Sequence, residues 1–126
     1  METLLFIEDD DAIRLALSLA LEDEGYSVRE APNGTDGLAS FDRHPVDLVL
    51  LDLALADSSG VETVKRFREV AKQVPLVVLT GSSEEDIGAQ SLAAGADAFV
   101  PKSGLTAYRI ERSIFVTLSH AGEHKI

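Results

Sequence analysis

The sequence predicts an α/β domain built on one five-stranded parallel sheet with five helices covering both faces as three layers, for which the common strand order, 2-1-3-4-5, is expected. Three observations predict it. Short apolar runs rich in branched residues recur along the chain, and segments with helical spacing separate them. Strict alternation of this kind requires crossover connections, which are right-handed and make the sheet parallel. The middle runs are apolar throughout instead of alternating, as strands covered on both faces are. At 126 residues the chain is long enough for one core and too short for two ordinary domains, so residues 1–126 read as a single domain.

Each element has its own signal. Leu4 to Ile7 reads as the first strand, and Ile13, Leu17 and Leu21, with Ala16 and Ala20, have the spacing of a helix that Gly25 follows. Tyr26 to Val28 is a weaker second strand, and Gly34 and Thr35 open the second helix. Leu48 to Leu51 is the third strand. Gly60 precedes a third helix marked by Val61, Val64 and Phe67, and Pro75 separates it from the fourth strand, Leu76 to Leu79. The fourth helix, Ile87 through Ala94, is closed by Gly95, and Ala98 to Val100 makes the fifth strand. Ile110, Ile114 and Leu118 mark the last helix, beside which Phe115 and Val116 either leave apolar surface for a partner or second copy or, as is favoured, pack on the sheet. The stretch RIERSIFVTLSHAGEHKI reads as a helix able to run on into a following segment, so of the two readings, a stand-alone domain or one cut from a longer protein, the second is favoured.

Composition narrows the function. There is no cysteine, which excludes a disulfide framework and thiolate chemistry. No stretch reaches the roughly 18 apolar residues of a membrane span, and METLLFIEDDD places acids where a secretory signal would continue its apolar run. The expectation is a cytoplasmic protein without membrane contact. The net charge of −11 is uneven, because residues 1–63 hold 15 of the 22 acids against only Arg14, Arg29 and Arg43. Such a surface repels phosphate backbones, so direct nucleic-acid binding is not expected, whereas it can collect a cation.

The polar residues with chemical potential stand where apolar runs end. Glu8, Asp9 and Asp10 follow the first run, Asp52 sits within DLVLLDLAL at the end of the third, Thr80 follows the fourth, and Lys102 comes just after the fifth. All are strand C-termini, the edge at which open α/β sheets bind ligands, and in this strand order Asp9 and Asp52 face each other across the crevice. Converging carboxylates must share protons or bind a hard cation. Oxygen ligands with room for water favour Mg²⁺, which expects a phosphoryl group as a further partner. Asp52 is then a nucleophile able to form an acyl phosphate, Lys102 a point cation and Thr80 a hydrogen-bond donor. Asp10 and Asp11 read as helix capping and first-turn acids, and Glu8 as a ligand either direct or through water. The three histidines are assigned nothing.

These residues resemble the receiver domain of two-component response regulators, of the chemotaxis-regulator type and flavodoxin-like fold, over essentially the whole chain. FIEDDDAIR is similar to the family's first strand with its acidic pair, Glu8 and Asp9, and DLVLLDLALADSSG to the phosphoacceptor strand and loop. VVLTG resembles the segment with the switch hydroxyl, Thr80. AGADAFVPK resembles the segment that carries the aromatic switch residue, Phe99, and the lysine, Lys102.

The resemblance implies Mg²⁺-dependent transfer of a phosphoryl group to Asp52 from a histidine kinase or histidine phosphotransfer protein. The metal ligands it implies are Asp9, Asp52, the backbone carbonyl of Ala54 and Glu8, the last either directly or through water. Movement of Thr80 and Phe99 would then reshape the face of helix four, strand five and helix five for an output domain or a second copy. Such a domain is not an enzyme in the ordinary sense, since it catalyses only its own phosphorylation and dephosphorylation. Ala54 and Ala56 depart from the family's usual side chains, and Ser103 stands after the lysine where proline is common, while Pro101 precedes it. A haloacid-dehalogenase-type phosphatase would need an acid at position 54, and a flavin carrier would need a phosphate-cradling loop in place of Glu8 to Asp11. The alternative is a receiver-like adaptor that binds partners independently of phosphorylation.

Overall fold

A computed structural model describes residues 2–53, 60–80, 85–102 and 107–124. Strands and helices alternate as β1 (Thr3–Ile7), α1 (Asp11–Asp23), β2 (Ser27–Ala31), α2 (Gly34–Arg43), β3 (Leu48–Asp52), α3 (Gly60–Val70), β4 (Leu76–Thr80), α4 (Glu85–Ala94), β5 (Ala98–Pro101) and α5 (Ala107–His124). All strand pairs are parallel and the order is β2-β1-β3-β4-β5, as the sequence predicts.

Alternate residues of each strand feed two separate cores. Leu5, Ile7, Val49, Leu51 and Val78 point to one face, where Val64 and Phe67 of α3 and the half-buried Leu38 and Phe41 of α2 cover them. Leu4, Phe6, Leu48, Leu50, Val77 and Leu79 point to the other, under Leu21 of α1 and Ile110 and Ile114 of α5. Every residue of β3 and β4 is buried, which is why these strands carry no polar alternation.

Chain reversals use local chemistry. Asp10 is the N-cap of α1, its carboxylate accepting from Ile13 N–H at 3.0 Å, and Asn33 caps α2 by accepting from Asp36 N–H at 2.8 Å. Gly25 and Gly95 follow α1 and α4 with φ of 99° and 122°, the left-handed turn that ends a helix most cheaply at glycine.

Several boundaries and faces differ from the sequence reading. Strand β2 runs to Ala31, past the apolar signal, because its Arg29 and Glu30 lie on an exposed edge strand while their backbones pair with Leu5 and Phe6. Tyr26 precedes this strand and is buried in the second core. Gly60 is the first residue of α3, not the one before it. Helix α1 does not bury Ile13, which is 37% exposed; its inward arc is Arg14, Leu17, Ser18 and Leu21, a rotation that lets Arg14 bond to the β1–α1 turn. Phe115 and Val116 do not pack on the sheet either. They fall outside the inward arc of Ile110, Ile114, Thr117 and Leu118 and are 52% and 41% exposed. Among the described residues no helix is long and apolar enough to cross a membrane.

Candidate functional site

The strand order brings three chain segments together at one sheet edge. β1 lies between β2 and β3, so the turn after Ile7 delivers Glu8 and Asp9 beside the end of β3, where Asp52 is the last residue. Asp52 pairs in register with Leu79 of β4, and Lys102 N–H donates to the Thr80 carbonyl at 2.7 Å, which carries the lysine over the end of β4 toward Asp52. Carboxylate oxygens of Glu8, Asp9 and Asp52 all lie within 4.8 Å of one another. Glu8 and Asp52 are buried and Asp9 is exposed at the mouth.

One cation serves two buried acids. Lys102 Nζ stands 3.0 Å from Asp52 Oδ2 and 3.3 Å from Glu8 Oε1. Burial pulls the Lys102 ammonium toward neutrality, but the hydrogen bond and charge of Asp52, and then of Glu8, outweigh it and hold its pKa above the ordinary value. Glu8 is pushed from 4.5 up to about 7, first by burial, then by the hydrogen bond and charge of Asp52, with Lys102 and the Asp10 N–H pulling the other way. Among the described residues its buried Oε1 meets no partner in good hydrogen-bond geometry, and the Lys102 ammonium 3.3 Å away reaches it as an ion pair. A buried carboxylate oxygen short of a partner, within reach of two more carboxylates, suits a hard divalent cation, and the all-oxygen donor set fits Mg²⁺.

Thr80 is buried at the end of β4, and Phe99 is half-buried on β5, packed against the core that α2, α3 and α4 share. Asp10 caps α1, as expected, and Asp11 bonds to Arg14. Ala54, Ala56 and Ser103 lie outside the described residues, and with them the expected carbonyl ligand.

Two residues that sequence reasoning missed support this edge. Arg14 donates from Nη1 to the Glu8 carbonyl at 2.7 Å and from Nη2 to Asp11 at 2.6 Å, and pairs with Glu30 of β2 at 3.4 Å. It ties the acidic turn to the outer strand. Arg14 shares a helix face with Leu17 and Leu21, three and seven residues on, but hydrophobic spacing gives no sign of the contact it makes. Gly88, inside α4, lies against the Phe99 ring; its signal is a lone glycine in a helical run.

Residues 4–111 match the family model described as the response regulator receiver domain. The chain belongs to this family. The receiver domain is 38% identical over 120 residues to the transcriptional regulatory protein CseB of Streptomyces coelicolor, covering 94% of this chain and 51% of CseB. It is also 38% identical over 104 residues to the phosphate regulon transcriptional regulatory protein PhoB of Pseudomonas aeruginosa, covering 80% and 45%. It therefore spans about half the length of the curated relatives it matches. Among solved structures, a CheY-like receiver domain protein from Methanospirillum hungatei JF-1 superimposes with a TM-score of 0.90 at 27% identity, each chain covered to 98%. NtrX from Brucella abortus, at 23% identity, shares the fold with a TM-score of 0.91 over 98% of this chain and 28% of its own. The resemblance read from the sequence motifs is thus borne out as family and as fold.

Proposed function

We propose that this receiver domain takes a phosphoryl group onto Asp52 from the phosphohistidine of a histidine kinase or a histidine phosphotransfer protein, in a Mg²⁺-dependent reaction in the cytoplasm. The observation that carries the reading is the convergence on Asp52, buried at its strand end, of one ammonium at 3.0 Å and two further carboxylates within 4.8 Å.

In the transfer, an Asp52 carboxylate oxygen attacks phosphorus, the P–N bond to the donor imidazole breaks, and the imidazole nitrogen keeps the bonding pair and takes a proton. Asp52 then carries an acyl phosphate. Lys102 holds the carboxylate in place beforehand and offers its ammonium to the incoming charge. The Thr80 hydroxyl donates to the phosphoryl oxygens. Glu8, Asp9, Asp52 and the carbonyl of Ala54 would hold Mg²⁺, which when bound supplies charge neutralisation for those oxygens.

The output is a change of surface. Drawing Thr80 toward the phosphoryl group frees space near Phe99, and the face of α4, β5 and α5 rearranges to bind an output domain or a second copy. The exposed Phe115 and Val116 on α5 support a contact surface there. The domain itself touches neither nucleic acid nor membrane and turns over no substrate beyond its own phosphorylation and dephosphorylation.

Incubation with a panel of phosphorylated histidine kinases tests the reading. Label passing to the wild type but not to Asp52→Asn is the expected result. A protein that stays unlabelled with every donor, yet binds its partners equally well as Asp52→Asn, would be an adaptor independent of phosphorylation.

A further inference from the structure

Helix α4 carries a glycine where almost any other residue would favour the helix more, and the ring of Phe99 accounts for it. Gly88 is buried. A Cβ at this position would lie 2.6 Å from both Cε2 and Cζ of Phe99 and 2.8 Å from Cδ2, well inside the separation at which carbon atoms attract. The ring fills the volume of the side chain that the helix lacks. Phe99 pairs in register with Val78, two residues before Thr80, so this contact joins α4 to the part of β4 and β5 that leads into the acidic edge.

We propose that Gly88 is the positioning residue for the Phe99 ring, giving it a seat directly on the α4 backbone. Any Cβ at position 88 removes that seat, and the ring must then turn about χ1 or α4 must lift from the sheet. Ring and helix are therefore coupled, so that neither can shift without the other. The link from this pair to phosphorylation rests on the function proposed above; the seat rests on packing geometry alone.

A double-mutant cycle tests the seat on the whole chain. Gly88→Ala is compared in the wild-type and Phe99→Ala backgrounds by thermal unfolding. With the ring gone, alanine finds open space and brings only its better helix propensity, so it raises Tm. With the ring present that gain is lost. The two shifts are expected to differ by about 3 °C or more.

Ring NMR of the protein labelled with ¹³C at phenylalanine provides the second readout, the Phe99 signal being assigned with Phe99→Leu. Gly88→Ala displaces that signal before any donor is added, and acetyl phosphate with Mg²⁺ moves it less than it moves the wild-type signal. Equal Tm shifts in the two backgrounds, with the Phe99 signal at its wild-type position in Gly88→Ala, would overturn the proposal. A wild-type ring signal that ignores the phosphodonor while the Tm coupling persists would strike the phosphorylation reading and leave the seat supported.

Discussion

Lys102 Nζ lies 3.0 Å from Asp52 and 3.3 Å from Glu8, so a single ammonium, itself one-quarter exposed, holds two buried carboxylates at one sheet edge. Two acids on one base leave a local excess of negative charge in a poorly solvated place. On the function proposed above, that imbalance couples stability to cation affinity and phosphoryl chemistry.

Removing the base should be costly even without any reaction. Lys102→Met leaves Glu8 and Asp52 buried with no cation between them, and is expected to lower stability at pH 7.5 by about 2 kcal/mol, less than a fully buried pair because the lysine is partly solvated. Asp52→Asn acts in the opposite sense. It removes one of the two crowded carboxylates, leaves Lys102 with Glu8, and should raise stability of the cation-free protein by about 1 kcal/mol. Urea unfolding of the three proteins in chelator measures both.

The raised Glu8 pKa fixes the direction of the pH dependence. Glu8 binds its proton more tightly folded, near pH 7, than unfolded, near 4.5, so its favourable contribution is complete below 4.5 and is lost as pH rises through about 7. The loss amounts to about 3 kcal/mol. Comparing urea unfolding of wild type and Glu8→Gln at several pH values isolates it, since the glutamine variant lacks this slope. Mg²⁺ favours the ionised carboxylates, so adding it should offset the loss at pH 7.5 more than at pH 5.

Arg14 touches no proposed ligand atom, yet it bonds the Glu8 carbonyl and anchors the turn to Glu30. Arg14→Ala is expected to weaken Mg²⁺ or Mn²⁺ binding by about tenfold, in the range for residues that orient ligands from behind. Isothermal titration calorimetry reads this directly. Unchanged affinity would mean that the turn holds its shape without the arginine.

Packing should divide the two faces of α5. Ile114 is fully buried, and Ile114→Ala should cost about 2 to 5 kcal/mol. Phe115 is next to it in sequence but half-exposed beneath the Arg112 guanidinium, 5.5 Å from its ring centre, so Phe115→Ala should cost under about 1 kcal/mol. Chemical denaturation distinguishes them.

The site is more legible in the sequence than the packing around it. Asp52 announces itself because a carboxylate inside a run of leucines is too costly without a partner, and Glu8, Asp9, Thr80 and Lys102 announce themselves by ending strands. The fold follows from the alternation of apolar runs, which does not depend on exact boundaries. What periodicity cannot give is the rotation of a helix about its own axis. Ile13 is exposed because Arg14 turns inward to reach a backbone carbonyl, a contact with no trace in hydrophobic spacing. The far end of β2 escapes the same reading because an edge strand can carry Arg29 and Glu30 at no cost. Gly88 reads as a weak helix position until the Phe99 ring is seen against it.

The most direct test of the account is the intact mass of the protein after incubation with acetyl phosphate, with and without Mg²⁺, alongside Asp52→Asn. One added phosphoryl group that requires both Mg²⁺ and Asp52 is the predicted result. Addition that persists in Asp52→Asn, or that ignores chelation of the metal, would contradict it.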